Sequence, residues 1–91
     1  MDVTIEWSPT KNAELQARFG FGFERALVAL EQGGLLDERA YPNQERYAHQ
    51  RQLVLAIDGY AWVVPCVTDG RVWFFKTIFP SRKATRDYLG G

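Results

Sequence analysis

The chain has 91 residues, enough for one domain with a single modest core. Hydrophobic residues make up 46% of it and charged residues 24%, which excludes an intrinsically disordered chain. The formal net charge is zero, but residues 1–45 carry eight acids against four bases, and residues 46–91 carry three acids against seven bases. A basic half attracts phosphate groups even in a neutral chain, although scattered solvated charges give the same count.

The single cysteine, Cys66, excludes an internal disulfide and favours a reducing compartment. It lies in an apolar run, which is typical of a small core residue rather than a nucleophile. The N-terminus has neither the basic region nor the apolar region of a signal peptide, and no apolar stretch approaches the ~20 residues that cross a bilayer. We therefore expect one soluble, cytoplasmic domain spanning residues 1–91.

The chain opens with the pattern of a strand and a short helix. Residues 3–7 alternate apolar and polar side chains, as a half-buried β-strand does. Ser8 predicts a helix N-cap, because its hydroxyl can accept a hydrogen bond from an unpaired helix N–H, and Pro9 suits the first helical position. We expect this helix to run to about Phe19 and to end at Gly20 in the left-handed conformation.

A second helix and a polar loop are predicted next. An apolar stripe at helical spacing indicates the helix, and it consists of Phe23, Ala26, Leu27 and Leu30. Gly33 and Gly34 are expected to end it. Residues 35–39 are a weak strand candidate, and residues 40–50 are polar with a Pro-Asn turn signal, which predicts a surface loop.

The rest of the chain predicts a β-meander. Strands are expected at residues 52–57, 60–68 and 71–79, because the dipeptides Asp-Gly at 58–59 and 69–70 are strong hairpin signals. The middle strand is apolar on both faces, which indicates a central position in the sheet. Pro65 within that strand indicates a bulge or a locally unpaired N–H.

A break at Pro80-Ser81 should end the meander, and Ser81 should cap a last short helix that reaches Leu89. The predicted order is one strand, two helices, four strands and one helix. This order predicts an α+β fold, in which two N-terminal helices pack on an antiparallel sheet of about four or five strands and a short helix closes the chain.

No sharp metal or cofactor signature occurs in the sequence. The motifs CxxC, HExxH and GxSxG and a glycine-rich phosphate loop are all missing, and the single histidine excludes a site with several histidine ligands. We therefore expect no cofactor. Any chemistry should depend on ordinary acid–base and cationic side chains.

Basic residues near the C-terminus are the first candidates for a site. Lys76 interrupts an otherwise apolar strand, where it either holds a phosphate or reaches water from a rim position. Arg82, Lys83 and Arg86 lie at the start of the last predicted helix. Cations there oppose the helix dipole, so helix stability does not explain their presence. A helix start with Arg and Lys is a good anion site, although a solvated helix face is the simpler alternative.

His49 is the only side chain whose unperturbed pKa suits proton transfer near neutral pH. It lies in the predicted polar loop between Tyr47 and Arg51. A lone loop histidine is more often simply exposed, and both interpretations stay open at this point.

Taken together, several motifs in order resemble the BrnT-type toxins of bacterial toxin–antitoxin pairs. That family opens with a strand that ends in Trp, a variable residue, Pro, another residue and Lys. A helix led by phenylalanine, a loop ending in Glu-Arg-aromatic, a meander and a closing Arg-Lys-Ala-Thr follow. The matching segments here are residues 7–11, 23–26, 45–47 and 82–85. Residues 76–85, KTIFPSRKAT, particularly resemble the tail of a BrnT-like subgroup.

This resemblance implies a RelE-like fold and a toxin that inhibits translation and growth. It implies a hydrolase that cleaves RNA without a metal, an mRNA interferase, and neutralisation by a cognate antitoxin of the ribbon-helix-helix type. The chain itself would then contact RNA as substrate and no membrane, and it would reach DNA only through the antitoxin.

The resemblance and the basic clustering together indicate two sets of site residues. The expected catalytic residues are Arg82, Lys83, Lys76, His49 and Arg51. The expected RNA-binding residues are Lys11, Arg46, Tyr47 and Arg86. In such a site the ribose 2′-OH attacks its own phosphate, cations stabilise the developing charge, and His49 or Tyr47 moves protons.

The alternative is a non-catalytic protein-interaction module of a toxin–antitoxin-like operon. Typical members of the family are clearly basic, whereas this chain is neutral. The central strand, residues 62–66, is apolar where many members carry a polar residue or a histidine. Both features favour binding to a protein partner over cleavage of RNA.

Overall fold

The computed structural model describes residues 3–40 and 49–90. Three helices and six strands follow one another in this part of the chain, and their order agrees with the predicted α+β fold. The elements are β1 (Thr4–Trp7), α1 (Pro9–Phe19), α2 (Phe23–Glu31), β2 (Leu35–Ala40), β3 (Gln50–Ile57), β4 (Tyr60–Asp69), β5 (Val72–Phe75), β6 (Phe79–Pro80) and α3 (Arg82–Leu89).

The strands form one sheet in the order β1-β5-β4-β3-β2, and β6 also pairs with β4. The meander from β2 to β5 is antiparallel, and β4 is central as its apolar pattern predicted. The expectation of a wholly antiparallel sheet is wrong at one edge, where β1 pairs with β5 in parallel. Alternation of side chains tells which face a strand buries, but it does not tell the direction of the strand's partner.

Local signals place the first helix as predicted. The Ser8 hydroxyl accepts a hydrogen bond from the Lys11 N–H at 3.2 Å, Pro9 is the first helical residue, and Gly20 ends the helix at φ 81°. Helix α2 lacks a capping side chain of its own at Gly22. The buried Asn12 of α1 replaces that cap, because its side-chain oxygen accepts the Phe23 N–H at 2.6 Å.

The two faces of the sheet carry different helices. Helices α1 and α2 cover the first face, whose fully buried side chains include Phe23, Leu53, Leu55, Cys66 and Phe75. Helix α3 covers part of the second face, where Ala84 packs on Val54 and Ala61. Because side chains alternate along a strand, each strand residue can be assigned to one of these faces.

The last predicted strand is interrupted. Residues 71–79 were expected to form one strand, but β5 ends at Phe75, and residues 76–78 separate it from β6. The reason lies in the neighbouring strand, where the Pro65 carbonyl accepts the Lys76 N–H at 2.9 Å and Pro65 has no N–H to offer in return. This confirms the expectation of an unpaired position at Pro65, while the register between β3 and β4 continues through it without a bulge.

Candidate functional site

The start of α3 is fixed on the second face by Ala61 of β4, which accepts the Ser81 N–H at 2.9 Å and donates its own N–H to Thr85. The Ser81 hydroxyl accepts the Ala84 N–H at 3.0 Å, which confirms the predicted N-cap. The Thr85 hydroxyl accepts the Ala61 N–H of β4 at 2.8 Å and donates to the Ser81 carbonyl at 2.8 Å. Ala84 and Thr85 are both buried. The Ala-Thr half of the tail motif therefore anchors the helix.

The Arg-Lys half of the same motif points to solvent. Arg82, Lys83 and Arg86 are all exposed. Lys83 Nζ lies 2.7 Å from an Asp87 carboxylate oxygen and Arg86 Nε lies 3.9 Å from the other, and the hydrogen bond from Lys83 lowers the pKa of Asp87. Arg82 makes no side-chain ion pair or hydrogen bond within the described part of the chain. Its guanidinium group is thus available to an anion at the helix start.

Side chains of β2 meet the far end of α3 in a polar cluster. The Tyr88 hydroxyl donates to a carboxylate oxygen of Asp37, which raises the pKa of Tyr88. Arg39 donates to the Gln52 side-chain oxygen at 3.3 Å, and its buried Nε has no partner within the described residues. These residues carried no sequence signal, because they come from a weakly patterned strand whose register shifts between Leu35 and Asp37.

Two of the predicted site residues lie on the other side of the sheet. Arg51 pairs in register with Cys66, whose side chain is in the first-face core, and Arg51 Nη1 lies 3.3 Å from Glu38 Oε1. Burial raises the pKa of the Cys66 thiol to about 11, which keeps it protonated and unreactive. Lys11 belongs to α1 and lies 3.8 Å from Glu14. The sheet therefore separates Arg51 and Lys11 from the cations of α3.

His49 and Lys76 lie at the end of the sheet that α3 leaves uncovered. The His49 carbonyl accepts the Thr68 N–H at 2.7 Å, and His49 lines an open pocket of about 250 Å³ together with Val67, Thr68 and Asp69. Lys76 is exposed just beyond β5. No hydrogen bond or ion pair among the described residues joins either side chain to α3. Arg46 and Tyr47 lie outside the described residues, as does most of the predicted surface loop.

The part of the second face that α3 does not cover is defined here as the open end. Its side chains form two cross-strand rows, Gln50–Val67–Phe74–Glu6 and Arg39–Gln52–Pro65, and Pro65 of the second row is buried. Phe79 of β6 pairs with Val63 and borders the open end beside the start of α3. Phe74 is 38% exposed and Phe79 is 40% exposed. The sequence does not mark these two rings as exposed, because residues 72–79 are apolar on both faces of the predicted strand except at Lys76 and Thr77.

The described part of the chain shows neither a membrane-spanning helix nor a metal-binding cluster. No helix in the described ranges is long and apolar enough to cross a membrane. Residues 3–40 and 49–90 contain no group of three or more His, Cys, Asp or Glu side chains arranged to hold a metal ion. Comparison of the chain with known proteins finds no matching family model, no similar curated protein and no similar solved structure.

Proposed function

We propose that this chain is the toxin of a bacterial toxin–antitoxin pair and that it acts on RNA. The observation that carries the proposal is the division of the tail motif between anchoring and exposed residues. Ala84 and Thr85 hold α3 against β4, and this anchor presents Arg82 and Lys83 at the capped start of the helix. Exposed cations at the start of a helix are suited to a phosphate of the RNA backbone.

Cleavage of RNA at such a site needs two kinds of group. Cations stabilise the charge that develops on the phosphate when the 2′-OH attacks it, and here Arg82 and Lys83 are the candidates. A second group has to move protons, and His49, which pairs with Thr68 at the end of the sheet, is the described candidate. Arg51 and Lys11 take no part in this arrangement, because they lie across the sheet.

Induced expression in a bacterial host tests the proposal. We expect the wild-type chain to arrest growth with loss of full-length RNA, and we expect the Arg82→Ala/Lys83→Ala variant to grow normally. The matched control removes two cations from the helices of the first face, Arg18→Ala/Arg25→Ala, and should stay toxic. Normal growth and intact RNA with the wild-type chain would refute the proposal. Rescue by the protein of an adjacent gene tests the antitoxin.

A second function, a non-catalytic interaction module, is favoured by one observation. The residues expected to act together in catalysis do not converge, since Arg51 and Lys11 lie on the first face and the α3 cations lie on the second. An interaction module would bind the neighbouring gene's protein tightly, without growth arrest and without RNA loss. The same expression experiment therefore separates the two functions.

A further inference from the structure

The open end of the second face exposes aromatic rings that a folding argument does not explain. Phe23 and Phe75 are fully buried, whereas Phe74 and Phe79 leave 38% and 40% of their surface in water. Both exposed rings lie on strands beside β4 and on the same face of the sheet. Exposed apolar groups that share one face and are surrounded by polar residues are typical of a binding surface.

The spacing of the two rings is set by β4. Phe74 pairs with Val67 and Phe79 pairs with Val63, four residues further along the same strand. At about 3.3 Å for each residue, the two ring positions are roughly 13 Å apart along β4. Each ring can therefore accept its own stacking partner, and a single small planar molecule does not span both.

Polar groups around the rings favour one kind of occupant. Gln50 and Gln52 place side-chain amides, which both donate and accept hydrogen bonds, on the floor of the open end. Arg39 reaches the same floor and retains a buried Nε without a partner within the described residues. Two exposed cations lie just after the strands that carry the rings: Lys76 directly follows β5, and Arg82 is separated from β6 by Ser81.

One acidic group, Glu6 of β1, is exposed and pairs in register with Phe74 on the same face of the sheet. Asp69 closes the pocket that His49 lines, and Asp87 is already engaged by Lys83 and Arg86. Apart from the Glu6 carboxylate, the surface around the two rings combines aromatic faces, amides and cations, which is the combination that binds unpaired nucleotides.

We propose that the open end binds single-stranded RNA by stacking unpaired bases on Phe74 and Phe79, with the RNA backbone directed toward Arg82. This inference rests on the proposed function and specifies that the RNA bound on this face is single-stranded. Duplex RNA is excluded as the preferred ligand, because its bases are stacked on one another and cannot reach the two rings.

Binding of synthetic oligonucleotides to the purified full chain tests the inference. The probes are a fluorescently labelled single strand of 2′-O-methyl RNA, which has no free 2′-OH and survives any cleavage activity, and a hairpin duplex of the same length. We expect the single strand to bind more tightly than the duplex, and we expect Phe74→Leu and Phe79→Leu each to weaken single-strand binding roughly tenfold. Leucine keeps the apolar bulk but removes the aromatic face.

Tyr60→Leu is the matched control. Tyr60 is also an exposed aromatic residue, at 36%, but it pairs with Ile57 and lies on the first face. This variant should bind the single strand as the wild-type chain does. Urea unfolding of each variant checks that the two phenylalanine changes leave the fold intact.

Three outcomes would overturn the inference: no binding by the wild-type chain, equal binding of single strand and duplex, or unchanged binding by both phenylalanine variants. If the phenylalanine variants keep RNA binding but lose rescue by the antitoxin, the open end is a protein interface and the inference is wrong. Measuring growth arrest with the same variants tells failure of this inference apart from failure of the proposed function. Variants that bind RNA normally and remain toxic refute only the stacking surface, whereas ring-dependent binding without toxicity supports the surface and refutes the toxin.

Discussion

Thr85→Val probes how α3 is held on the sheet. Valine has nearly the same shape as threonine but cannot accept the Ala61 N–H or donate to the Ser81 carbonyl, both of which the Thr85 hydroxyl contacts at 2.8 Å. The Ser81 carbonyl keeps a second partner in the Thr85 N–H, whereas the Ala61 N–H is left buried and unpaired. A buried unpaired N–H costs about 2 kcal/mol of the free energy of unfolding.

Urea unfolding followed by circular dichroism measures this cost, and for a domain of this size the same loss lowers Tm by roughly 10 °C. Thr68→Val is the matched control, because the Thr68 hydroxyl donates to the His49 carbonyl at 3.2 Å at an exposed position. The control should change the free energy of unfolding by less than about 0.5 kcal/mol. Equal effects of the two substitutions would refute the role of Thr85 as the anchor of α3.

Three further predictions test other parts of the fold. Asn12→Asp replaces the amide that donates to Glu24 with a second carboxylate, and the two negative charges repel each other. The free energy of unfolding should fall by about 1–2 kcal/mol at pH 7 and recover toward pH 4, where the carboxylates are protonated. Urea unfolding at both pH values measures this change. A Cβ added by Gly59→Ala would meet no atom within 4 Å, so only the backbone conformation at φ 79° opposes the change. The free energy of unfolding should fall by about 1 kcal/mol, as read from the thermal midpoint. Cys66 should react with a thiol reagent at pH 8 only after unfolding. Because its pKa is raised from 9.0 to about 11, the wild-type chain should lose stability between those pH values relative to Cys66→Ala, as measured by urea midpoints.

Elements with local signals could be predicted from the sequence. Helix α1 begins and ends where a capping serine, a proline and a glycine require it, and all three act within a few residues of themselves. The end of β5 could not be predicted in the same way, since the alternation of side chains continues to Phe79. Its cause is Pro65 on the neighbouring strand, and only the register shows that Pro65 lies opposite the end of β5.

The same break in the strand creates the exposed ring at Phe79. Because β5 ends opposite Pro65, residues 76–78 interrupt the strand pairing, which resumes in β6 where Phe79 pairs with Val63. Ile78 enters the first-face core, and Phe79 is left at the border of the second face just before α3 begins. A strand continued in the register of β5 would have paired Phe79 with Trp62 and directed its ring to the first face, whereas the interruption shifts the register by one residue and leaves the ring on the second face.

The candidate site was the least predictable feature, and the reason is the alternation of β-strands. Charge counted along the sequence groups Arg51 with Arg82 and Lys83, because all three belong to the basic half. The pairing of Arg51 with Cys66 directs its side chain to the first face, while α3 carries the other two cations on the second. A phosphate bound at the start of α3 is therefore out of reach of Arg51. Loss of toxicity on changing Arg51 but not Arg82 would move the active site to the face that α1 and α2 cover.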